Sequence, residues 1–416
     1  MKYFKNTELA KLYNISEKSV RNWVQAASEG KLDLELYETS GKLFVANTSK
    51  NTAQILQLVE KGKKFRNTRA LKISHPTSEL YRVYSQKQIY DIIANLDIYR
   101  EIPYEYSYFN GGATRWDAYT SKLLAERTSN PITNTIELLD LNLDYIDTLV
   151  KGFANVNVVD VGVGNCLPIR NLLQHFLSKG TLKRYIGIDI SSDMLNIAER
   201  NIKEWFDGKV NFEGYVKDIN YDRFNDLLVA DSFTDSEGPT INLVLFLGGT
   251  ISNLRDPNRA LSTIHESMSK TDLLIFTKKP DTSNSRRYFD FVSETSNSKT
   301  PFDFQTFRGK TVVEYLGIDE DFYEVEQFFD KENRVRKVHI KLKVALSIEF
   351  KVEGKMRAVE FDKGESILLW RAQHQDTLEI IQQFNDNDFD ILELMKTNDK
   401  EYLMLITKIM VTQKIA

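Results

Sequence analysis

Val156-Asn157-Val158-Val159-Asp160 is a short apolar run that ends in an acid and leads straight into Val161-Gly162-Val163-Gly164-Asn165. Residue types in this order read as a strand, a glycine turn and then a helix from Leu167 to Phe176. Gly162 and Gly164 let the backbone approach a ligand closely, and the helix presents its amino terminus to that ligand. A second run, Tyr185-Ile186-Gly187-Ile188-Asp189, ends in a carboxylate suited to bond both hydroxyls of a ribose. A third run ends near Val216-Lys217-Asp218, and a fourth is Ile241 to Leu247. In dinucleotide fingerprints the turn usually begins with glycine and a third glycine follows; here Asp160 precedes Gly162 and the third glycine is absent. That departure favours S-adenosylmethionine as the ligand, with Asp160, Gly162, Gly164, Asp189 and Asp218 around it.

Such residues converge only if strands and helices alternate in a parallel, doubly wound sheet whose carboxyl edge binds the ligand. Tyr402 to Ile406 reads as a late strand returning to that sheet. Before it, His339 to Val344 alternates with period two, as do neighbouring stretches around Gly354 and Gly364, which predicts an inserted antiparallel sheet. At 416 residues the chain exceeds one ordinary core, and two to three domains are expected. The expected division is a head over 1–75, a helical connector and lid over 76–135, a nucleotide-binding core over 136–282 and 376–416, and an accessory α+β substrate domain over 283–375. A small substrate would sit in a cleft between core and accessory domain. With 42% hydrophobic and 27% charged residues the composition is globular. No apolar run approaches the roughly 18 residues of a membrane helix, and no signal peptide is evident, so a cytoplasmic location is expected. Cys166 is the single cysteine and the five histidines are scattered, so no metal site is expected.

The formal charge of −4 is unevenly distributed. Residues 1–75 hold fourteen Lys or Arg against seven Asp or Glu, and the remainder carries the acidic excess. In the basic head, Leu9, Ala10 and Leu12 have helical spacing, Asn14-Ile15-Ser16 has turn chemistry, and Ser16 can cap a second helix from Glu17 to about Ala27. That helix would bury Val20 and Val24 and expose Lys18, Ser19, Arg21 and Asn22, which could enter a major groove. Lys42 to Asn47 reads as a strand or wing, and Gln54 to Glu60 as a further helix. The stretch resembles the helix-turn-helix of MerR-type or excisionase-like modules, which implies DNA as a partner. A homodimer is the assembly such a module would use on two half-sites. A small helical domain that docks on a protein is the other reading of the same pattern.

Phe246-Leu247-Gly248-Gly249-Thr250-Ile251-Ser252-Asn253 resembles the signature Phe-Leu-Gly-Ser-Thr-Ile-Gly-Asn of the histidine-specific Nα-methyltransferases. The resemblance runs from about Tyr108 to Ala416. It includes Tyr108-Phe109-Asn110-Gly111, Asn130-Pro131-Ile132-Thr133, the three cofactor segments and Gly364-Glu365-Ser366-Ile367. It implies a Rossmann-like methyltransferase in which Asp189 holds the ribose, Asp218 the adenine region, and the glycine turn the methionine portion, with Gly248 also at the cofactor. Asn253 falls where the family holds the substrate amino group, and Tyr288 where it grips the carboxylate. Phe109 stands in place of a family tyrosine. Trp370 and Ala372 stand where the family reads the imidazole with Glu and Ser; indole can only donate and alanine does neither. The implied reaction is methylation of an amine on an amino-acid-like molecule that is not histidine. The alternatives are a transcription regulator that senses S-adenosylmethionine or another ligand, and a nucleic-acid methyltransferase. Gly248-Gly249-Thr250-Ile251 is unlike the Pro-Pro-Tyr loop of amino-methylating DNA enzymes, and Cys166 lacks the Pro-Cys setting of cytosine C5 enzymes.

Overall fold

The structure, a computed structural model, describes residues 3–13, 15–39, 41–68, 71–126, 128–229, 238–282, 304–305 and 307–410. It divides into two compact units, one of residues 1–73 with 344–347 and 360–364, the other of the remaining chain.

In the first unit, helices Asn6–Tyr13 and Glu17–Ser28 precede a hairpin of β2 (Leu36–Thr39) and β3 (Lys42–Ala46), with β1 (Tyr3–Phe4) on the far side of β3. Ser16 Oγ accepts the Ser19 N–H at 3.1 Å, which starts the second helix where its cap requires. Leu9, Val20, Val24, Val45 and Ile55 form the core, so the buried face of the second helix is the one its spacing predicts. Asn51, buried at the start of helix Ser49–Thr68, accepts the Glu35 N–H at 2.9 Å and donates to the carbonyls of Glu35 and Ala46. That side chain pins the hairpin to the helix. The helix begins five residues before the expected Gln54.

The chain continues through β4 (Lys72–Ser74) and helices Ser78–Val83, Gln86–Tyr99, Gly112–Glu126 and Pro131–Leu141. Asn130 Oδ1 caps the last of these by accepting from Ile132 N and Thr133 N, with Pro131 in the first turn where no donor is needed. The second unit is built on a seven-stranded sheet. Its strands are β5 (Asn155–Val161), β6 (Leu182–Asp189), β7 (Phe212–Val216), β8 (Thr240–Phe246), β9 (Leu273–Lys278), and, after an intervening sheet, β15 (Phe389–Lys396) and β16 (Leu403–Ile409). Their order is β15-β16-β9-β8-β5-β6-β7. Neighbours from β9 to β7 are parallel, while β16 runs antiparallel to both β9 and β15. Apolar side chains of β5, β6, β8 and β9 are buried on both faces, as parallel strands covered by helices require. Strand order reverses between β5 and β8, which opens a crevice at their carboxyl ends.

Between β9 and β15 the chain makes β10 (Tyr323–Asp330), β11 (Val335–Leu342), β12 (Leu346–Val352), β13 (Lys355–Phe361) and β14 (Ser366–Gln373). β10, β11 and β14 form one antiparallel sheet, with a bulge at Val338/His339 opposite β14. No helix among the described residues is long and apolar enough to cross a membrane.

Lys278, at the end of β9, is 2% exposed and donates to the Gln375 side chain. Burial pulls its pKa from the usual 10.5 down to about 7. Between those values the unfolded chain holds a proton that the folded chain has lost, so stability rises with pH across that window. The slope is at most about 1.4 kcal/mol per pH unit. Urea denaturation between about pH 7 and 9.5 should show this rise, and Lys278→Met should flatten it.

Candidate active site

The crevice is shaped first by the turn after β5. Gly162 and Gly164 have φ of +74° and +55°, the left-handed region that disfavours a side chain. A Cβ would lie 3.5 Å from Thr250 Oγ1 at Gly162 and 3.5 Å from Trp116 Nε1 at Gly164, so backbone hand, not space, demands glycine. The N–H groups of Gly162 and Val163 donate to the Ile188 carbonyl at 2.8 and 3.2 Å, holding the turn against β6. Asn165, 2% exposed, donates to Asp117 Oδ1 at 2.8 Å and Thr120 Oγ1 at 2.7 Å on helix Gly112–Glu126. Asn201 donates to the Asn165 carbonyl at 3.0 Å. A one-residue polar hub thus ties the turn to two helices.

Three carboxylates lie at the same edge with different surroundings. Asp160 is buried with Tyr185 Oη donating to it at 3.1 Å, and burial pushes its pKa up to about 8. Asp189 accepts the backbone N–H groups of Ser191, Gly164 and Ile190, yet burial still raises its pKa to about 6. Asp218 accepts Asn220 N at 2.9 Å and Asn220 Nδ2 at 3.0 Å, and burial again raises it. Across the crevice Gly248, with φ of +77°, donates its N–H to Thr277 Oγ1 at 2.9 Å. That bond sets the end of β8 against β9, and the single turn Thr250–Asn253 follows with Gly249 as its N-cap, the Gly249 carbonyl accepting the Ser252 N–H at 3.0 Å.

A cavity of about 740 Å³ occupies this edge. Asp160, Gly162, Gly164, Asp189, Asp218, Gly248, Asn253 and Trp370 all line it. Phe109, expected at the substrate, does not: its ring packs edge-on to Tyr84 at 5.3 Å and against Tyr106 at 6.2 Å. Its neighbour Tyr108 lines the cavity instead. The 3-10 helix Tyr104–Tyr108 ends just before Phe109, so consecutive rings take different directions. Tyr288 lies outside the described residues.

Several lining residues carried no sequence signal. Arg336 is one: its guanidinium lies 5.4 Å from the Trp370 ring centre, and burial lowers its pKa to about 10. Trp370 pairs with Val338 and Ala372 with Arg336 in the β11·β14 ladder. The wall at this point therefore presents an indole and a guanidinium. Glu105 and Arg308 also line the cavity, and burial pushes the Glu105 carboxyl up to about 8. Among the described residues no group of His, Cys, Asp and Glu could hold a metal.

The left-handed glycine turn, with a carboxylate one strand away, fits a nucleoside bearing an amino-acid tail. Residues 89–408 match the family model for "Histidine-specific methyltransferase, SAM-dependent". No curated protein matches the sequence. Among solved structures, a S-adenosylmethionine-dependent methyltransferase from Clostridium acetobutylicum is 11% identical, covering 72% of this chain and 99% of its own at a TM-score of 0.39. The CcbJ methyltransferase from Streptomyces caelestis is 10% identical over 64% of this chain and 95% of its own, TM-score 0.33. Magnesium protoporphyrin IX methyltransferase from Synechocystis is 13% identical over 66% and 82%, TM-score 0.32.

Proposed function

The chain belongs to the histidine-specific, S-adenosylmethionine-dependent methyltransferase family, and from that premise we propose that it methylates an amine of an amino-acid-like molecule other than histidine. The cofactor, when bound, supplies an electrophilic methyl group on a sulfonium. The glycine turn would receive its methionine portion, Asp189 would accept from the ribose hydroxyls, and Asp218 would hold the adenine region. Gly248, which also lines the cavity, would lie at the cofactor. Asn253 accepts an N–H of the acceptor amine and leaves the lone pair free, so orientation is the residue's contribution. A neutral amine needs no general base for this step.

The observation that supports a substrate other than histidine is the Trp370 and Arg336 pair in the cavity wall. The N–H of a neutral imidazole needs an acceptor, which neither the Trp370 indole nor the Arg336 guanidinium has. Losing a designed hydrogen-bond pairing costs several orders of magnitude in discrimination. Trp370→Glu combined with Ala372→Ser should raise kcat/KM for histidine by about tenfold or more, read by mass spectrometry of methylated product. A variant no better with histidine than the wild type would count against this reading.

DNA binding by the head is a second proposal, favoured by the exposed row Lys18, Arg21 and Asn22 on the capped helix Glu17–Ser28. Ser19 contributes less, because its hydroxyl is shared with Ser16 Oγ at 2.8 Å. Lys18→Glu with Arg21→Glu in the full chain should weaken binding to duplex DNA at least about tenfold and reduce the salt slope by about 2. An unchanged salt slope would assign this helix to a protein partner instead.

A further inference from the structure

Arg308 lines the cavity and is half-buried. Its guanidinium carbon lies 4.7 Å from the ring centre of Trp116, 4.9 Å from Tyr108 and 5.5 Å from Tyr104. Its hydrogen bonds go to a single neutral oxygen, Tyr104 Oη, at 2.7 Å from Nη2 and 3.3 Å from Nε. Among the described residues no carboxylate pairs with it. Burial works against the cation, yet its pKa stays above the usual value, so the guanidinium remains charged. Ring faces hold a guanidinium without consuming its in-plane donors. A positive charge is therefore held rigidly in the cavity wall with donors to spare.

The cage also has an address. Trp116 Nε1 lies 3.5 Å from where a Gly164 Cβ would stand, and the Tyr108 carbonyl lies 3.4 Å from Ser191 Oγ, two residues past Asp189. Arg308 is thus one side chain away from both the glycine turn and the Asp189 loop. We propose that Arg308 is a carboxylate receptor, whose fork takes the α-carboxylate of an amino-acid group in the cavity. That group is either the methionyl end of the cofactor or the acceptor. Guanidinium and carboxylate match as a bidentate pair, which the Tyr104 hydroxyl alone cannot satisfy.

The assignment rests on the cavity being the methyl-transfer site, and binding measurements separate the two. Full-length wild type, Arg308→Gln and Arg308→Lys are titrated calorimetrically with S-adenosylhomocysteine and with 5′-deoxy-5′-methylthioadenosine, which lacks the amino-acid tail. If the carboxylate is the cofactor's, Arg308→Gln loses about 10- to 100-fold for S-adenosylhomocysteine and nothing for the tail-less nucleoside. Arg308→Lys, which keeps the charge without the fork, recovers part of the loss and serves if the Gln variant does not fold. If the carboxylate is the acceptor's, both nucleosides bind the variants as they bind wild type. The loss then appears when protein saturated with S-adenosylhomocysteine is titrated with a panel of L-amino acids, each paired with the amine left by removing its carboxylate. Equal binding of nucleosides and amino acids by all three proteins overturns the assignment. A wild type that binds neither nucleoside overturns the methyl-transfer site along with it.

Discussion

Asp189→Ala should weaken binding of S-adenosylhomocysteine by about a hundredfold in calorimetry, because the two hydrogen bonds proposed from the ribose to its carboxylate, at roughly 1.5 kcal/mol each, are lost together. The carboxylate is already oriented by the N–H groups of Ser191, Gly164 and Ile190, so a ligand has no ordering cost to meet there. Its protonation gives a second reading of the same contact. Burial raises the folded pKa from 3.8 to about 6, so the native state keeps the proton across that window while the unfolded chain has lost it. Stability from this group therefore falls as pH rises from 3.8 to about 6. If Asp189 holds the ribose as proposed, cofactor affinity moves the other way, since the hydroxyls need the carboxylate. Affinity should improve by up to about tenfold per pH unit until about pH 6 and then level off in the wild type, and stay flat in Asp189→Asn. A wild-type profile as flat as that of the variant would remove Asp189 from the ribose.

Asn253→Ala should lower kcat by about a hundredfold and leave S-adenosylhomocysteine affinity within twofold, because in the proposed reaction the side chain orients the acceptor amine and a displacement of about 1 Å costs that much. Asn253 ends the short turn that Gly249 caps, and the Gly248–Thr277 bond just before it ties the end of β8 to β9. The position is therefore set by two strands and not by a loose loop. Asn253→Asp tests the contact differently: it retains acceptor oxygens but adds charge, and should keep more activity than alanine. Loss of cofactor affinity in either variant would move Asn253 to the cofactor side of the cavity.

Much of the site was legible because period and turn chemistry point the same way there. Val156 to Asp160 and Tyr185 to Asp189 are short apolar runs closed by an acid, and only a covered parallel strand explains both features. Gly162 and Gly164 then had to be the left-handed turn. Phe109 packs away from the cavity that Tyr108 lines, because the short 3-10 helix before it sends adjacent rings in different directions and sequence spacing does not register that step. Arg336 escaped notice for a related reason. It shares a strand face with Val338 and Ile340, where an alternating pattern leads one to expect another apolar residue. Arg308 stands in no motif at all. Its setting comes from three rings at positions 104, 108 and 116, far away in sequence. Lys278 became conspicuous only through burial beside Gln375, which likewise is a product of chain folding over a long separation.

The most direct measurement is the identity of the methylated product. Full-length protein is incubated with methyl-labelled S-adenosylmethionine and a mixture of L-amino acids and related amines that includes histidine, and products are read by mass spectrometry. The expected result is label on the amine of a carboxylate-bearing molecule other than histidine, with histidine methylated far more slowly. Label on histidine alone, or no label on any amine, would contradict it.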